Sequence, residues 1–107
     1  MAALRAFASQ KSFAYSRLLT FSGDRDAIGR GIDILALLVD RGYRPGSCLF
    51  GIAVGYYFLG EYKMARRNLE RLVKSDPKNE QAITFHSLVR KRVWAGALDA
   101  KHDSECG

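Results

Sequence analysis

The chain has 107 residues, of which 48% are hydrophobic, and this suffices for the core of one small domain but not of two. Its 17 Lys and Arg residues outnumber 11 Asp and Glu residues. The resulting net charge of +6 favours phosphates or anionic membrane surfaces without establishing a nucleic-acid partner. The longest uncharged run, residues 45–60, is shorter than the roughly 20 residues of a membrane-spanning helix, so the chain as given is expected to be soluble.

The cysteine content argues against a secreted fold held by disulfides. Cys48 lies in an apolar run and Cys106 lies in a polar C-terminal stretch, so the two thiols do not form a disulfide framework. Residues 1–8 also lack the apolar segment of a secretory signal peptide. We therefore expect reduced thiols in a cytosolic setting.

The chain begins with a short N-terminal segment, residues 1–10. The sequence that follows predicts a first helix. Apolar residues recur through residues 13–19 and form one face of that helix. A polar stretch, Ser-Gly-Asp-Arg-Asp at residues 22–26, follows and predicts a long turn. Ser22 or Asp24 is the expected N-cap of the next helix, because its side-chain oxygen can accept a hydrogen bond from a free backbone amide in the first turn of that helix.

The second predicted helix covers about residues 26–41 and completes a first helix pair at residues 11–44. Large apolar side chains recur there at three-to-four spacing, which is typical of a helix with one face toward a core. These side chains are Ile28, Ile32, Leu35, Leu38 and Val39. The two helices are expected to pack in antiparallel order.

A second helix pair is predicted at residues 45–78, where small and large residues alternate. Ala53 and Ala65 would allow two helix backbones to approach closely, and Gly60 would permit the tight turn between them. Pro77 ends the second helix of this pair. A terminal helix over about residues 79–97 then closes the stack and is followed by a polar tail, residues 98–107. The apolar positions of the terminal helix are Ala82, Ile83, Phe85, Leu88, Val89 and Val93.

The two helix pairs are copies of one another at a fixed spacing. Gly31 and Ala65 are separated by 65 − 31 = 34 positions, and the same offset links Leu35 to Leu69. It also links Leu38 to Leu72 and Val39 to Val73. Thirty-four residues is the tetratricopeptide period. The sequence therefore predicts an all-α fold, a tetratricopeptide-like stack of antiparallel helix pairs with a C-terminal capping helix.

Several segments resemble successive motifs of the mitochondrial fission 1 proteins over about residues 11–93. The A-V-G-Y-Y segment and the long first turn make this resemblance more specific than a general tetratricopeptide pattern. The similar segments are Phe13-Ala14-Tyr15, Arg30-Gly31-Ile32, Ile52–Tyr57, Leu59–Arg67 and Pro77–Ala82.

The resemblance implies a tail-anchored adaptor without catalytic activity, on the cytosolic face of the outer mitochondrial membrane and on peroxisomes. Such a protein recruits the fission machinery, either a dynamin-related GTPase directly or an intermediate adaptor protein. The chain departs from the family at both ends, since little sequence precedes Phe13 and residues 98–107 are polar where a hydrophobic anchor is expected. A truncated chain and a natural variant both fit these departures.

In tetratricopeptide geometry the first helix of each pair lines a concave groove, which is the expected partner site. The groove would be mainly apolar, so it favours an apolar partner segment over the acidic chain ends that tetratricopeptide co-chaperones bind. Alternatively, these side chains belong to the core or are covered by residues 1–12, and an open groove also permits a homodimer. The expected groove residues are Phe13, Arg17, Thr20, Ser47, Phe50, Val54 and Tyr57.

The sequence does not predict an enzyme, a cofactor or a metal site. Its two histidines are His86 and His102, and the cluster of His102, Asp103 and Cys106 lacks the four-ligand spacing of a structural zinc site. The Gly29-Arg30-Gly31 segment lacks the Gly-Lys-Ser/Thr of a phosphate loop. The alternative function, from the charge alone, is a basic helical module that binds RNA or an anionic membrane surface.

Overall fold

The computed structural model describes the backbone of residues 2–106 and the side chains of residues 9–95. Across that backbone the chain forms five helices and no strand, and each helix packs against the one that follows it. The predicted all-α, tetratricopeptide-like stack is thereby confirmed. The helices are α1 (Ala2–Thr20), α2 (Arg25–Asp40), α3 (Pro45–Phe58), α4 (Tyr62–Ser75) and α5 (Glu80–Cys106).

Both end helices are longer than the sequence pattern suggested. α1 begins at Ala2, so most of the predicted N-terminal segment is part of the first helix. α5 likewise continues to Cys106, through a stretch that we expected to be a polar tail. Neither extension contains a proline, and no glycine follows position 96 until residue 107, so no residue with a strong helix-breaking tendency ends either helix earlier.

Helix α3 forms the centre of the stack. It packs against α2 on one side and α4 on the other, and it also contacts α1. Every residue from Cys48 to Val54 except Phe50 is buried, which is the expected state of a helix that is apolar on all sides. The side chain of Cys48 is fully covered, and its thiol donates a hydrogen bond to the carbonyl oxygen of Tyr43 at 3.3 Å.

Small residues allow the helices to approach α3 and α2 closely. A Cβ added at Gly55 would lie 2.8 Å from Cγ1 of Ile32, and one added at Gly51 would lie 2.9 Å from Cδ1 of Leu35. Ala53 and Ala65 are fully buried in a cluster with Leu69, as their sizes predicted. The backbone of α3 is therefore in van der Waals contact with side chains of its neighbours, at a separation that larger residues would not permit.

The 34-residue offset pairs residues of equivalent burial. Gly31 in α2 corresponds to Ala65 in α4, and Leu35 corresponds to Leu69; all four are buried. Leu38 and Leu72 are also buried. The second helices of the two pairs, α2 and α4, thus bury the same face against the helices next to them. This explains why the repeat is clearest in these two helices.

Glycines in the left-handed conformation end two of the helices. Gly60 has φ of 79°, and the backbone amide of Glu61 donates to the carbonyl of Tyr56 at 2.9 Å. The amide of Gly60 donates to the carbonyl of Tyr57, which completes the paired hydrogen bonds of a Schellman motif. This confirms the tight turn that we predicted at Gly60. α2 ends in the same way at Gly42, with φ of 74°.

Helix starts follow the predictions less closely. Asp24 is the N-cap residue of α2, but its side chain makes no capping hydrogen bond. Ser22 does not cap the helix either, because its hydroxyl accepts from the amide of Asp24 inside the turn. The prediction of a side-chain cap here was therefore wrong. At α5 the side-chain oxygen of Asn79 accepts from the amide of Ala82 at 3.0 Å, so Asn79 is a cap and the helix begins at Glu80.

Among the described residues, we find no helix with both the length and the sustained hydropathy that a membrane crossing requires.

Two glycines of α2 provide a matched pair of substitutions. A Cβ at Gly31 would meet the carbonyl oxygen of Ser16 at 2.8 Å and Cγ2 of Thr20 at 2.9 Å, whereas a Cβ at Gly29 meets nothing within 4 Å. We expect Gly31→Ala to lower the free energy of unfolding by about 1–3 kcal/mol because α1 must move away. Gly29→Ala should raise it by about 0.5–1 kcal/mol because alanine restricts the unfolded chain. Urea denaturation of both variants tests this, and equal effects would contradict the close approach of α1.

Burial of Cys48 predicts a pH dependence of stability. Burial raises the pKa of this thiol above its ordinary value of 9.0, and the positive charge of Arg44 offsets part of the effect. The thiol therefore stabilises the fold fully below about pH 9, and this contribution is lost as the pH rises through the raised pKa. We expect the wild type to lose more stability than Cys48→Ala between about pH 8 and pH 10. Parallel urea denaturation curves of the two proteins measure this difference, because the substitution changes no other ionisable group.

Candidate functional site: a groove between α1, α3 and α5

A concave surface lies between the C-terminal part of α1, one side of α3 and the start of α5. Its narrow part, which we call the inner pocket, has a volume of about 180 Å³. Five of the residues that line the inner pocket belong to α3. Its lining residues are Arg17, Phe21, Gly46, Ser47, Phe50, Gly51, Val54, Asn79 and Gln81.

The inner pocket opens into a wider depression along α5, which we call the trough. The trough has a volume of about 1100 Å³ and shares Arg17, Phe50 and Gln81 with the inner pocket. Together the two form one groove. Most of the trough belongs to α5, whose lining residues are Glu80, Gln81, Ile83, Thr84, Phe85, Ser87, Leu88 and Lys91.

A continuous path of aromatic rings connects α1 to α5 across α3. The ring of Phe21 meets Phe58 at a centroid distance of 5.8 Å, and Phe58 meets Tyr57 at 6.1 Å. Tyr57 in turn contacts Phe85 at 5.5 Å, and Phe85 contacts Phe50 at 5.6 Å. Such tilted and edge-on pairs stabilise their arrangement beyond the area they bury. The path fixes the aromatic side of the groove before any partner binds.

The charges of the groove stand at its edges. Arg17 lines both the inner pocket and the trough, and its guanidinium carbon lies 5.7 Å from the centroid of the Phe13 ring. This cation–π contact holds the side chain at the rim. Lys91 lines the far part of the trough, and Glu80 is the one acidic residue among the side chains that line it. The trough is therefore mainly apolar with a net positive lining, whereas Ser47, Asn79 and Gln81 give the inner pocket a large polar share.

The structure brings together four of the seven expected groove residues. Arg17, Ser47, Phe50 and Val54 line the inner pocket, although Val54 is only 8% exposed. Tyr57 lies beside the groove within the aromatic path and does not line the inner pocket or the trough.

Phe13 and Thr20 are in the interior, contrary to their expected exposure. Phe13 packs in the core cluster of α2 and α3 and meets the ring of Tyr43 edge-on. Thr20 is fully buried, because its methyl group lies where α1 contacts the glycines at 31 and 55. Its hydroxyl donates to the carbonyl of Arg17 at 2.8 Å. Because α1 turns these two positions toward α2, a ligand in the groove does not reach them.

Sequence reasoning missed the contribution of α5. Ala82 and Val89 are fully buried against α4, whereas Ile83 is 44% exposed and Leu88 is 43% exposed. The sequence placed all of these residues on one closing face. The available signal was that position 83 lies about 100° from position 82 on one side of the buried stripe, and position 88 lies about 100° from position 89 on the other side, so neither shares the buried face.

The groove offers binding surface rather than groups for covalent chemistry. The side chains described for residues 9–95 include no cluster of three metal-binding groups. His86 lies on α5 with its Nε2 atom 3.5 Å from Oε1 of Glu70, and it does not line the groove. The tail cluster of His102, Asp103 and Cys106 lies outside the described side chains.

Two antiparallel helix pairs, offset by 34 residues and closed by a fifth helix, define a tetratricopeptide-type domain. Residues 47–98 match the family described as the Fis1 C-terminal tetratricopeptide repeat. The chain is 33% identical over 90 residues to the mitochondrial fission 1 protein of Eremothecium gossypii and 32% identical over 88 residues to that of Homo sapiens. It is a relative of the mitochondrial fission 1 proteins.

A comparison with solved structures leads to the same family. The chain matches the crystal structure of yeast Fis1 in complex with an Mdv1 fragment at a TM-score of 0.79 and 29% identity. This match covers 83% of the chain and 71% of the yeast protein in the crystal. The Eremothecium match covers 83% of the chain, and the human match covers 80%. In both cases the chain spans only 58% of the length of the relative.

Two of the expected groove residues, one buried and one exposed, should differ in how much their substitution lowers stability. We expect Phe13→Ala to lower the free energy of unfolding by about 3 kcal/mol or more, because it leaves a cavity in the core. Ser47→Ala should change the free energy of unfolding by less than about 0.5 kcal/mol, because this side chain is exposed and its substitution removes no buried contact. Thermal or urea denaturation measures both, and a harmless Phe13→Ala would show that this ring is not part of the core.

Proposed function

We propose that this chain is a non-enzymatic adaptor domain that holds a segment of a partner protein in the groove during organelle fission. By analogy with its relatives, it acts on the cytosolic face of the outer mitochondrial membrane and on peroxisomes. The partner is a dynamin-related GTPase or an adaptor protein of the fission machinery. The groove supplies recognition and position, and the partner supplies any catalytic activity.

The observation that carries this proposal is the exposed apolar lining of the trough. Ile83 and Leu88 are each more than 40% exposed, and they stand beside the half-buried rings of Phe50 and Phe85. Apolar side chains that line an open depression of this kind are typical of a site for an amphipathic helix or extended segment. Aromatic residues are also the side chains that most often dominate binding energy in such interfaces.

The charges of the groove favour such a segment over an acidic chain end. A buried carboxylate requires several charge-assisted donors close together. In this groove Phe50 and Val54 occupy the middle of the α3 surface and cannot donate hydrogen bonds. Arg17 and Lys91 stand at its rim and are suited to acidic residues that flank an apolar stripe.

The similarity to yeast Fis1 supports the choice of partner class. That protein was crystallised with an Mdv1 fragment containing an N-terminal extension and coiled-coil domains. The chain shares its fold and 29% of its residues over the matched region. An Mdv1 fragment of this composition is therefore the most informative first probe for the groove.

A matched pair of leucines tests the groove as the partner site. Leu88 is 43% exposed in the trough, whereas Leu37 is 56% exposed on α2 and lines neither part of the groove. We expect Leu88→Ala to weaken binding of the Mdv1 fragment about ten-fold or more, because it removes an apolar contact from the interface. Leu37→Ala should leave the affinity unchanged. Isothermal titration calorimetry with each variant gives the comparison.

The same samples decide whether a second copy of the chain occupies the groove instead. Sedimentation velocity would then give a dimer that dissociates in Leu88→Ala but persists in Leu37→Ala. A dimer of this kind without fragment binding would exclude the adaptor proposal in favour of self-association. Equal loss of fragment binding in the two leucine variants would place the partner site elsewhere on the surface.

A further inference from the structure

A second surface depression lies between α4 and α5, next to the trough and separate from the inner pocket. This depression, which we call the basic hollow, has a volume of about 510 Å³. It shares Ser87 and Lys91 with the trough, so the two sites lie on either side of the same stretch of α5. The side chains that line it are Arg66, Ser87, Arg90, Lys91, Val93 and Trp94.

The positive charge of the basic hollow is largely uncompensated. Arg66 has one acidic neighbour, Glu70, whose Oε1 lies 3.5 Å from the Nε of Arg66 and 3.5 Å from Nε2 of His86. Both of these nitrogen atoms are buried and lack a hydrogen-bond acceptor. Among the described side chains, no acidic group pairs with Arg90 or Lys91. Two cations without an acidic partner, the partly compensated guanidinium of Arg66 and a hydroxyl group thus line the basic hollow.

An exposed indole stands at the edge of the basic hollow. Trp94 is 67% exposed, and it is the one tryptophan in the chain. Val93 lines the hollow beside it. An indole beside cationic side chains is suited to a membrane interface, where the ring enters the headgroup region and the cations meet phosphate groups. A small inorganic anion would leave the apolar part of this lining without a contact.

We propose that the basic hollow binds the phosphate headgroups of anionic phospholipids, with Trp94 inserted among the headgroups. Arg66, Arg90 and Lys91 contact phosphate oxygens, and Ser87 supplies a neutral donor. A membrane bound at this side leaves the inner pocket open, because none of the hollow's side chains lines that pocket. The proposal does not depend on which partner occupies the inner pocket, although Lys91 lines both the basic hollow and the trough.

Vesicle flotation tests the proposal with the intact chain. We expect binding to vesicles of equal parts phosphatidylcholine and phosphatidylserine, and none to phosphatidylcholine alone. Arg66→Gln with Arg90→Gln should weaken binding roughly twenty-fold in total. Each cation near an anionic surface strengthens binding several-fold, and the two losses multiply. Both residues line the hollow and not the groove. The matched control, Arg30→Gln in α2 with Arg41→Gln immediately after α2, removes the same charge from exposed positions and should retain binding.

The fluorescence of Trp94 provides a second, independent measurement. Its emission should shift to shorter wavelength with the mixed vesicles and remain unchanged with inorganic phosphate alone. Trp94→Ala should bind the mixed vesicles more weakly, while circular dichroism verifies that each variant retains its helices. Equal losses in the two arginine pairs would overturn the proposal in favour of net charge alone. A full response to inorganic phosphate, or tighter binding to a single-stranded RNA than to the vesicles, would overturn it as well.

Discussion

The close contact of α3 with the helices around it is the constraint on which the rest of the structure depends. Gly51 and Gly55 bring its backbone against Leu35 and Ile32 of α2, and Ala53 does the same toward α4. Because α3 contacts α1, α2 and α4, its position fixes the spacing of both helix pairs. A helix without one polar face also has no stable alternative at a protein surface, so burial at the centre is the arrangement that its composition favours.

The groove is a consequence of this central packing. α1 and α5 lie on the same side of α3 with a gap between them, and the rings along that side fill part of the gap. Phe50 and Phe85 contact each other at the junction of the inner pocket and the trough. A recognition surface that is held in place by ring contacts loses little side-chain freedom when it binds, and this favours affinity for an apolar segment.

α5 serves three surfaces of the molecule at once. Its buried stripe, with Ala82 and Val89, closes the stack against α4. Ile83 and Leu88 lie on either side of this stripe and line the trough, and Arg90 and Trp94 line the basic hollow. A helix that is covered on one face only can combine packing with an exposed surface in this way. In the proposed functions the last helix therefore supplies binding surface as well as a cap.

Sequence by itself determined the helical class, the 34-residue repeat and the close-packed small positions such as Ala53 and Ala65. These features are local or periodic, and they depend on side-chain size and turn chemistry that can be read at each position. Only the tertiary structure decided that Thr20 is buried, that Tyr57 lies beside the groove and that Leu88 lies within it. The physical reason is that exposure depends on how far each helix rotates against its neighbour, and the glycines at positions 31 and 55 let α1 settle deeply enough to cover Thr20.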